Sequence, residues 1–324
     1  MKFDFMRENV HKSVLLKEAI SYLKVTPGEK YIDATVGGGG HSWEILKRGG
    51  VLLGLDVDPD ALGFFKRKLE DRGWKLDNEV RASRLDNLAS SVKLLTPPSS
   101  FQHLASRVIL VQINFKHIDK VVENLNFGPV SGILFDLGLS SYQLEKSDRG
   151  FSFKRDEPLD MRMDPTLTIT ASDLVNNLCE EELHALFSKL GEEHFAGRIA
   201  AAICKERRVA RIEDCKKLAE IIKETVPRRG RIHPATKVFQ ALRIAVNKEL
   251  ESLGMALPKA VKLLKSGGKL VIISFHSLED RPAKRLSSNK DLEVLTRKVI
   301  RPDYLALKTN PKARSAKMRV FEKL

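Results

Sequence analysis

The chain has 324 residues and carries 56 Lys and Arg against 42 Asp and Glu, a formal charge of +14. Its length favours two domains over one, and a content of 42% apolar and 30% charged residues excludes a disordered or fibrous protein. Three cysteines (Cys179, Cys204, Cys215) without a C-x-x-C pair argue against a disulfide scaffold or a zinc cage, and no apolar run reaches the ~18 residues of a membrane span; a cytoplasmic protein without a metal site or membrane partner is expected.

In chain order, Leu15, Leu16, Ala19, Ile20 and Leu23 form a helical stripe. Lys30 to Val36 reads as a short strand ended by four glycines, and His41 to Arg48 as a helix closed by Gly49 and Gly50. Val51 to Asp56 is a second strand and Pro59 to Leu69 a second helix. The stretch from Lys75 to Arg107, with its Pro97-Pro98-Ser99-Ser100 run, reads as a surface insertion holding one helix, Leu85 to Leu95. The third strand is expected at Val108 to Gln112, feeding a helix from His117 to Leu125; an alternative places it at Glu79 to Ser83. Gly132 to Asp136 is the fourth strand. Apolar strands without alternation, separated by helices, indicate a parallel sheet covered on both faces, a doubly wound α/β core.

From about 145 to 235 the pattern is all helical. Leu183, Leu186, Phe187 and Leu190 make one stripe, Phe195, Ile199, Ala202 and Ile203 another, and Leu218, Ile221, Ile222 and Val226 a third. A long helix follows from Thr236 to Leu250, another from Pro258 to Lys265, and then a strand from Lys269 to Phe275. The α/β rhythm has resumed. The expected organisation is a core in two parts, 1–144 and 236–324, interrupted by a helical domain at 145–235 that recognises substrate; the second core part ends in a basic tail.

Gly37 to Gly40 lie between the first strand and a helix, where glycine lets the backbone approach a ligand and the helix start offers free N–H groups. A nicotinamide G-x-G-x-x-G fails, because its last glycine would fall on Ser42 or Trp43, and no P-loop sequence occurs. An acidic strand end followed by glycines is instead similar to the loop of S-adenosylmethionine (SAM) methyltransferases. Asp56 ends the second strand, where a carboxylate can accept both ribose hydroxyls of an adenosine.

Further along come Asp136-Leu-Gly-Leu-Ser-Ser-Tyr-Gln143, Arg149-Gly-Phe-Ser-Phe153, Pro158-Leu-Asp-Met-Arg-Met-Asp164, Gly191-Glu-Glu-His-Phe-Ala196, Ala235-Thr-Lys-Val-Phe-Gln-Ala-Leu-Arg-Ile244, Ser274-Phe-His-Ser-Leu-Glu-Asp-Arg281 and Asn310-Pro-Lys-Ala-Arg-Ser315. With Val36-Gly-Gly-Gly-Gly-His41, this ordered set closely resembles the RsmH (MraW) family from about His11 to the end. The resemblance implies a SAM-dependent methyltransferase acting on a cytosine N4 of small-subunit ribosomal RNA, with a Rossmann-like sheet domain interrupted by a helical one. It also implies SAM contacts at Gly39, Gly40, His41, Asp56, Phe115, Asp136 and Gln143. Two departures stand out: the 75–107 insertion ahead of Phe115, and Pro282, where the family usually has an apolar helical residue.

A cytosine amino group is a poor nucleophile, because its lone pair is delocalised into the ring. A group accepting its N–H bonds favours attack and takes the proton later lost. Asp136, helped by Ser140 or Ser141, is the candidate; the bland reading is that Asp136 only touches SAM and the serines cap a helix. Attack at C5 would call for a cysteine following proline, and none of the three does. His276 and Glu279 read as a hydrogen-bonded structural pair, with lining of the base pocket the alternative. Asp160, Arg162 and Asp164 read as an internal salt-bridged turn, with RNA contact second.

The charge is unevenly spread. Residues 281–324 hold 13 basic against 4 acidic residues, while 145–197 nets −6 and 198–235 nets +6. Arg207, Arg208, Arg228, Arg229 and Arg231 on the helical block, and Arg314, Lys317 and Arg319 in the tail, are therefore the phosphate-contact candidates for a ribosomal RNA or small-subunit partner. Two alternatives keep part of this reading: a SAM enzyme with a non-RNA acceptor, and a non-catalytic RNA-binding assembly factor. Oligomeric state is left open.

Overall fold

The structure is a computed structural model that describes residues 13–77, 91–96, 107–140, 143–144, 147–227 and 233–324. The chain divides into two compact units: Met1–Gly138 with Ser252–Leu324, and Leu139–Glu251.

The first unit is built on a nine-stranded sheet. Its strands in chain order are β1 Lys30–Asp33, β2 Val51–Asp56, β3 Lys75–Asp77, β4 Ser91–Thr96, β5 Val108–Gln112, β6 Val130–Asp136, β7 Leu264–Ser274, β8 Leu292–Val294 and β9 Lys317–Lys323. In space they run β3-β4-β5-β2-β1-β6-β7-β9-β8. The central five, β5-β2-β1-β6-β7, are parallel, and both flanks are antiparallel. The order reverses direction at β1 and β6, the crevice where open α/β sheets bind ligands.

Successive residues of each central strand feed opposite faces. Ile32, Leu53, Val111, Ile133, Phe135 and Ile272 enter one apolar cluster. Tyr31, Leu52, Leu110, Leu134, Val271 and Ile273 enter the other. Helices α1 Leu16–Leu23, α2 Gly40–Lys47 and α3 Pro59–Glu70 cover the second face through Ala19, Ile20, Ile45, Leu46, Leu62 and Phe65. Helix α4 Ile118–Asn124 covers the first face through Ile118, Val121 and Val122. Sheet residues buried on both sides explain why these strands read as unbroken apolar runs.

The insertion differs from expectation. Ser91–Thr96 is a strand, not the end of a helix: β4 pairs antiparallel with both β5 and β3 and extends the sheet edge. Leu94 and Leu95 are buried there, so the leucines that suggest a helical stripe serve a sheet. The alternative strand at Glu79 to Ser83, and the Pro97-Pro98 run, lie outside the described residues.

The second unit carries α5 Ala171–Asn177, α6 Glu180–Gly191, α7 Ala196–Glu206, α8 Cys215–Thr225 and α9 Ala235–Asn247, while α10 Glu249–Leu263 begins in it and continues into the first. Its C-terminal boundary falls at 251, where the sequence pattern suggests 235. The cause is local: the Asn247 side chain accepts the Met163 N–H (2.7 Å) and donates to Met161 O (2.8 Å), tying the end of α9 to the start of the unit. The Asp160–Arg162 turn is present, with Arg162 Nε and Nη2 donating to the two carboxylate oxygens at 2.8 and 2.7 Å.

The tail is not a simple appendage. β9 inserts between β7 and β8, so 317–323 belongs to the sheet and buries Met318, Val320 and Phe321. Helix α11 Ser277–Arg285 continues through Pro282. No helix among the described residues is long and apolar enough to cross a membrane.

Candidate active site

Three carboxylates stand at the C-terminal ends of the strands beside the switch point: Asp33 on β1, Asp56 on β2 and Asp136 on β6. The loop from 34 to 39 is laced to them. The Asp33 side chain accepts the Thr35 N–H (3.1 Å) and the Ser42 hydroxyl (2.6 Å). Asp56 accepts the Gly37 N–H (2.8 Å) and the Asp58 N–H (2.9 Å). The Thr35 hydroxyl oxygen accepts the Asp136 N–H at 2.7 Å.

The glycines have different tasks. Gly39 caps α2 with φ +74°, and a Cβ there would sit 1.9 Å from the Phe65 ring. At Gly40 a Cβ would meet the Ser13 hydroxyl at 2.0 Å. Both allow the loop to pack against its own protein. Gly38 is the opposite case: a Cβ would meet nothing within 4 Å, so open space lies over this peptide. The N-cap Gly39 makes no side-chain bond at the start of α2, where Asp33 takes the Ser42 backbone N–H and the Gly40 and His41 N–H groups precede it.

His41 is 4% exposed, and its Nδ1 lies 3.5 Å from Asp136 Oδ2. Burial pulls the imidazole down to about 4, with the Val14 backbone acting the other way, so His41 is neutral at physiological pH. Asp136 Oδ1 is shielded from solvent and has no hydrogen-bond partner among the described residues; His41 Nε2 is in the same condition. Desolvation, then repulsion from Asp33 and Glu279, holds the Asp136 carboxyl well above the usual range. Desolvation likewise pushes Asp56 up to about 7 and Asp33 up to about 6, against the hydrogen bonds each accepts. A cluster of desolvated carboxylates with one unsatisfied acceptor, Asp136 Oδ1, suits a cationic or hydrogen-bond-donating ligand.

Phe115 opens a 3-10 turn after β5, where Asn114 accepts the Lys116 N–H, and packs edge-on against Phe135 with ring centroids 5.6 Å apart. Gln143 and Ser140 belong to the second unit, where the Gln143 side chain accepts the Ser140 N–H and the Ser140 hydroxyl accepts the Gln143 N–H. Ser141 lies outside the described residues. His276 caps α11: its Nδ1 accepts the Glu279 N–H at 3.3 Å, and its Nε2 is 3.0 Å from Glu279 Oε1.

The profile of the MraW methylase family matches residues 8–96 and 76–324. This chain belongs to the MraW methylase family. A ribosomal RNA small subunit methyltransferase H from Persephonella marina is 43% identical over 323 residues, covering 97% of this chain and 99% of that protein. One of the same name from Dehalococcoides mccartyi is 40% identical over 342 residues, covering 98% and 88%. Among solved structures, an rRNA methylase from Streptococcus thermophilus covers 97% of this chain and 98% of its own at 12% identity, with a TM-score of 0.43.

For a member of the MraW methylase family, the residues at the sheet edge fit SAM. Asp56 has acceptor capacity left for a ribose, the space over Gly38 admits a ligand against the loop, and the carboxylate cluster around Asp136 matches a sulfonium and an ammonium group. Sequence reasoning passed over Thr35, which fixes the Asp136 backbone, and Gly38. The Asp33-x-Thr35 spacing at a strand end was the available signal.

The phosphate candidates separate. Arg208 and Arg314 are exposed. Arg207 donates to Val175 O at 2.7 Å. Arg319 is only 14% exposed and grips Asp280 through Nε (2.7 Å) and Nη2 (3.0 Å), while Lys317 lies 3.6 Å from the same carboxylate. Those two serve the fold. Arg228, Arg229 and Arg231 lie outside the described residues.

Proposed function

We propose that this MraW-family methylase transfers the methyl group of SAM to the exocyclic N4 amino group of a cytidine in small-subunit ribosomal RNA. SAM is the donor and supplies an electrophilic methyl carbon on a sulfonium cation. The single observation that carries the acceptor chemistry is Asp136, at the switch point with one oxygen buried and without a partner among the described residues.

The chain's residues then divide the work. Asp56 accepts the ribose hydroxyls, and the Gly38 peptide and the start of α2 line the donor cradle. Neutral His41 flanks Asp136 Oδ2 and leaves Oδ1 facing the acceptor. Burial favours the protonated form of Asp136 and a neighbouring cation favours its carboxylate, which is the form that accepts an N4–H. The amino nitrogen bonds to the methyl carbon as the carbon–sulfur bond breaks, and the nitrogen sheds its proton to Asp136 and on to water. Ser140 and Ser141 are the proposed aides, and the second unit, with Arg207 and Arg208, is the proposed substrate-recognition domain.

Two of the three cysteines are unsuited to nucleophilic attack, while Cys179 is exposed. Cys204 and Cys215 are buried, and burial pushes the Cys215 thiol up to about 12. The partner is the small ribosomal subunit or its RNA, and the location cytoplasmic. The target base must be unpaired or flipped out to reach the donor. Incubation with labelled SAM and small subunits, followed by nucleoside analysis, tests the reading: N4-methylcytidine is expected, and 5-methylcytidine or label in protein alone would contradict it.

A further inference from the structure

Between β8 and β9 the chain makes an excursion, residues 295–316, that holds six basic residues and one acidic. Its backbone is anchored. Leu295 N–H donates to Val320 O (3.0 Å), the buried Thr296 hydroxyl accepts the Val320 N–H (3.0 Å), and Ile300 and Met318 exchange two hydrogen bonds of 3.0 and 2.8 Å. Ala313 and Ala316 are buried beneath it, and Asp303 caps helix α12 Tyr304–Thr309 by accepting the Ala306 N–H at 2.7 Å.

The excursion's exposed charged side chains are cationic but for Asp303. Arg297, Lys298, Arg301, Lys308 and Arg314 are exposed. Among them stand Tyr304 at 71% and Leu305 at 69% exposure. The Lys308 ammonium lies over one side of the Tyr304 ring, 4.8 Å from its centroid. A large aromatic exposed to water with a cation over its ring, in a stretch that holds six basic residues and is anchored at both ends, is unlike ordinary solvated surface. Proteins that hold single-stranded nucleic acid combine these two parts, cations along the backbone and an aromatic ring on which a base stacks. A helix of six residues is too short to lie in a membrane as an amphipathic anchor.

We propose that this excursion is a docking platform for a single-stranded segment of the RNA substrate, with Tyr304 stacking an unpaired base and Arg297, Lys298 and Arg301 contacting its phosphates. It rests on the RNA reading above and moves the tail's footprint away from Lys317 and Arg319, which are spent on Asp280.

The test uses the full-length protein, a single-stranded oligoribonucleotide, a duplex of equal length and anionic phospholipid vesicles. Tyr304→Ala is expected to weaken single-strand binding about 5- to 100-fold, with Tyr304→Phe close to the parent, because stacking needs the ring and not the hydroxyl. Replacing Arg297, Lys298 and Arg301 by Gln is expected to lower the slope of log affinity against log salt by about 2. Thermal midpoints and SAM affinity should stay at the parent's values. Equal single-strand affinity in Tyr304→Ala, an unchanged salt slope, or loss of vesicle binding in place of RNA binding would overturn the platform. Those results with methyl transfer to small subunits intact would sink the platform alone; absence of transfer by the parent protein would sink the RNA reading itself.

Discussion

His41 Nδ1 lies 3.5 Å from Asp136 Oδ2, and the two residues arrive from either side of the point where the sheet order reverses. The glycine loop after β1 delivers one and the end of β6 the other, with Thr35 bonding the two segments together. A neutral imidazole beside a carboxyl that resists ionisation is a resting state waiting for positive charge.

That electrostatic state makes SAM affinity depend on pH. Asp56 ionises near 7 in the folded protein, against an ordinary value of 3.8. SAM binding is therefore expected to tighten as pH rises through about 7. The same shift affects stability: the native state keeps a proton that the unfolded chain releases above about 4, so Asp56 weakens the fold as pH rises from about 4 to about 7. His41 pulls the opposite way between about 4 and its ordinary 6.5, so the clean readout is a difference. Without SAM, Asp56→Asn should gain stability relative to the parent across pH 4 to 7. Parallel stability curves would contradict the assignment.

The two kinds of glycine predict opposite variants. Gly39→Ala places a Cβ against Phe65 at a strained backbone angle and should cost about 2–4 kcal/mol, read as a lowered unfolding midpoint. Gly38→Ala meets no protein atom and should leave the midpoint alone while weakening SAM binding by titration calorimetry. Unimpaired SAM binding in Gly38→Ala would move the donor off this loop.

Arg319→Ala should behave as a folding variant. Removing the guanidinium leaves the Asp280 carboxylate with Lys317 as its remaining neighbour, a loss of about 2–3 kcal/mol in chemical denaturation. The salt dependence of RNA binding should not change. A flattened salt slope without destabilisation would return Arg319 to the phosphate contacts.

Much of the core was legible in sequence because its strands are buried on both faces and so appear as uninterrupted apolar runs; β1, β2, β5 and β6 fall where Tyr31, Leu53, Leu110 and Phe135 indicate. The misreading at 91–95 came from Leu94 and Leu95, whose burial serves an antiparallel edge strand, a pattern that short windows share with helices. The tail hid its two strands because β9 alternates Lys317 and Arg319 with buried Met318 and Val320 and ends on Glu322 and Lys323, so charge dominated its composition. The carboxylates at strand ends were visible as residue types. What sequence could not give was which were already satisfied: Asp280 and Asp33 are paired within the fold, while Asp136 Oδ1 has no partner among the described residues.

The most direct measurement is single-turnover methyl transfer by Asp136→Asn, set beside its SAM affinity. The amide keeps the size and hydrogen-bonding reach of the carboxylate but cannot take the proton. Transfer is expected to fall by about 10²- to 10⁴-fold while SAM binding stays within about tenfold of the parent. Near-normal transfer by this variant would contradict the central claim that Asp136 accepts from the N4 amino group.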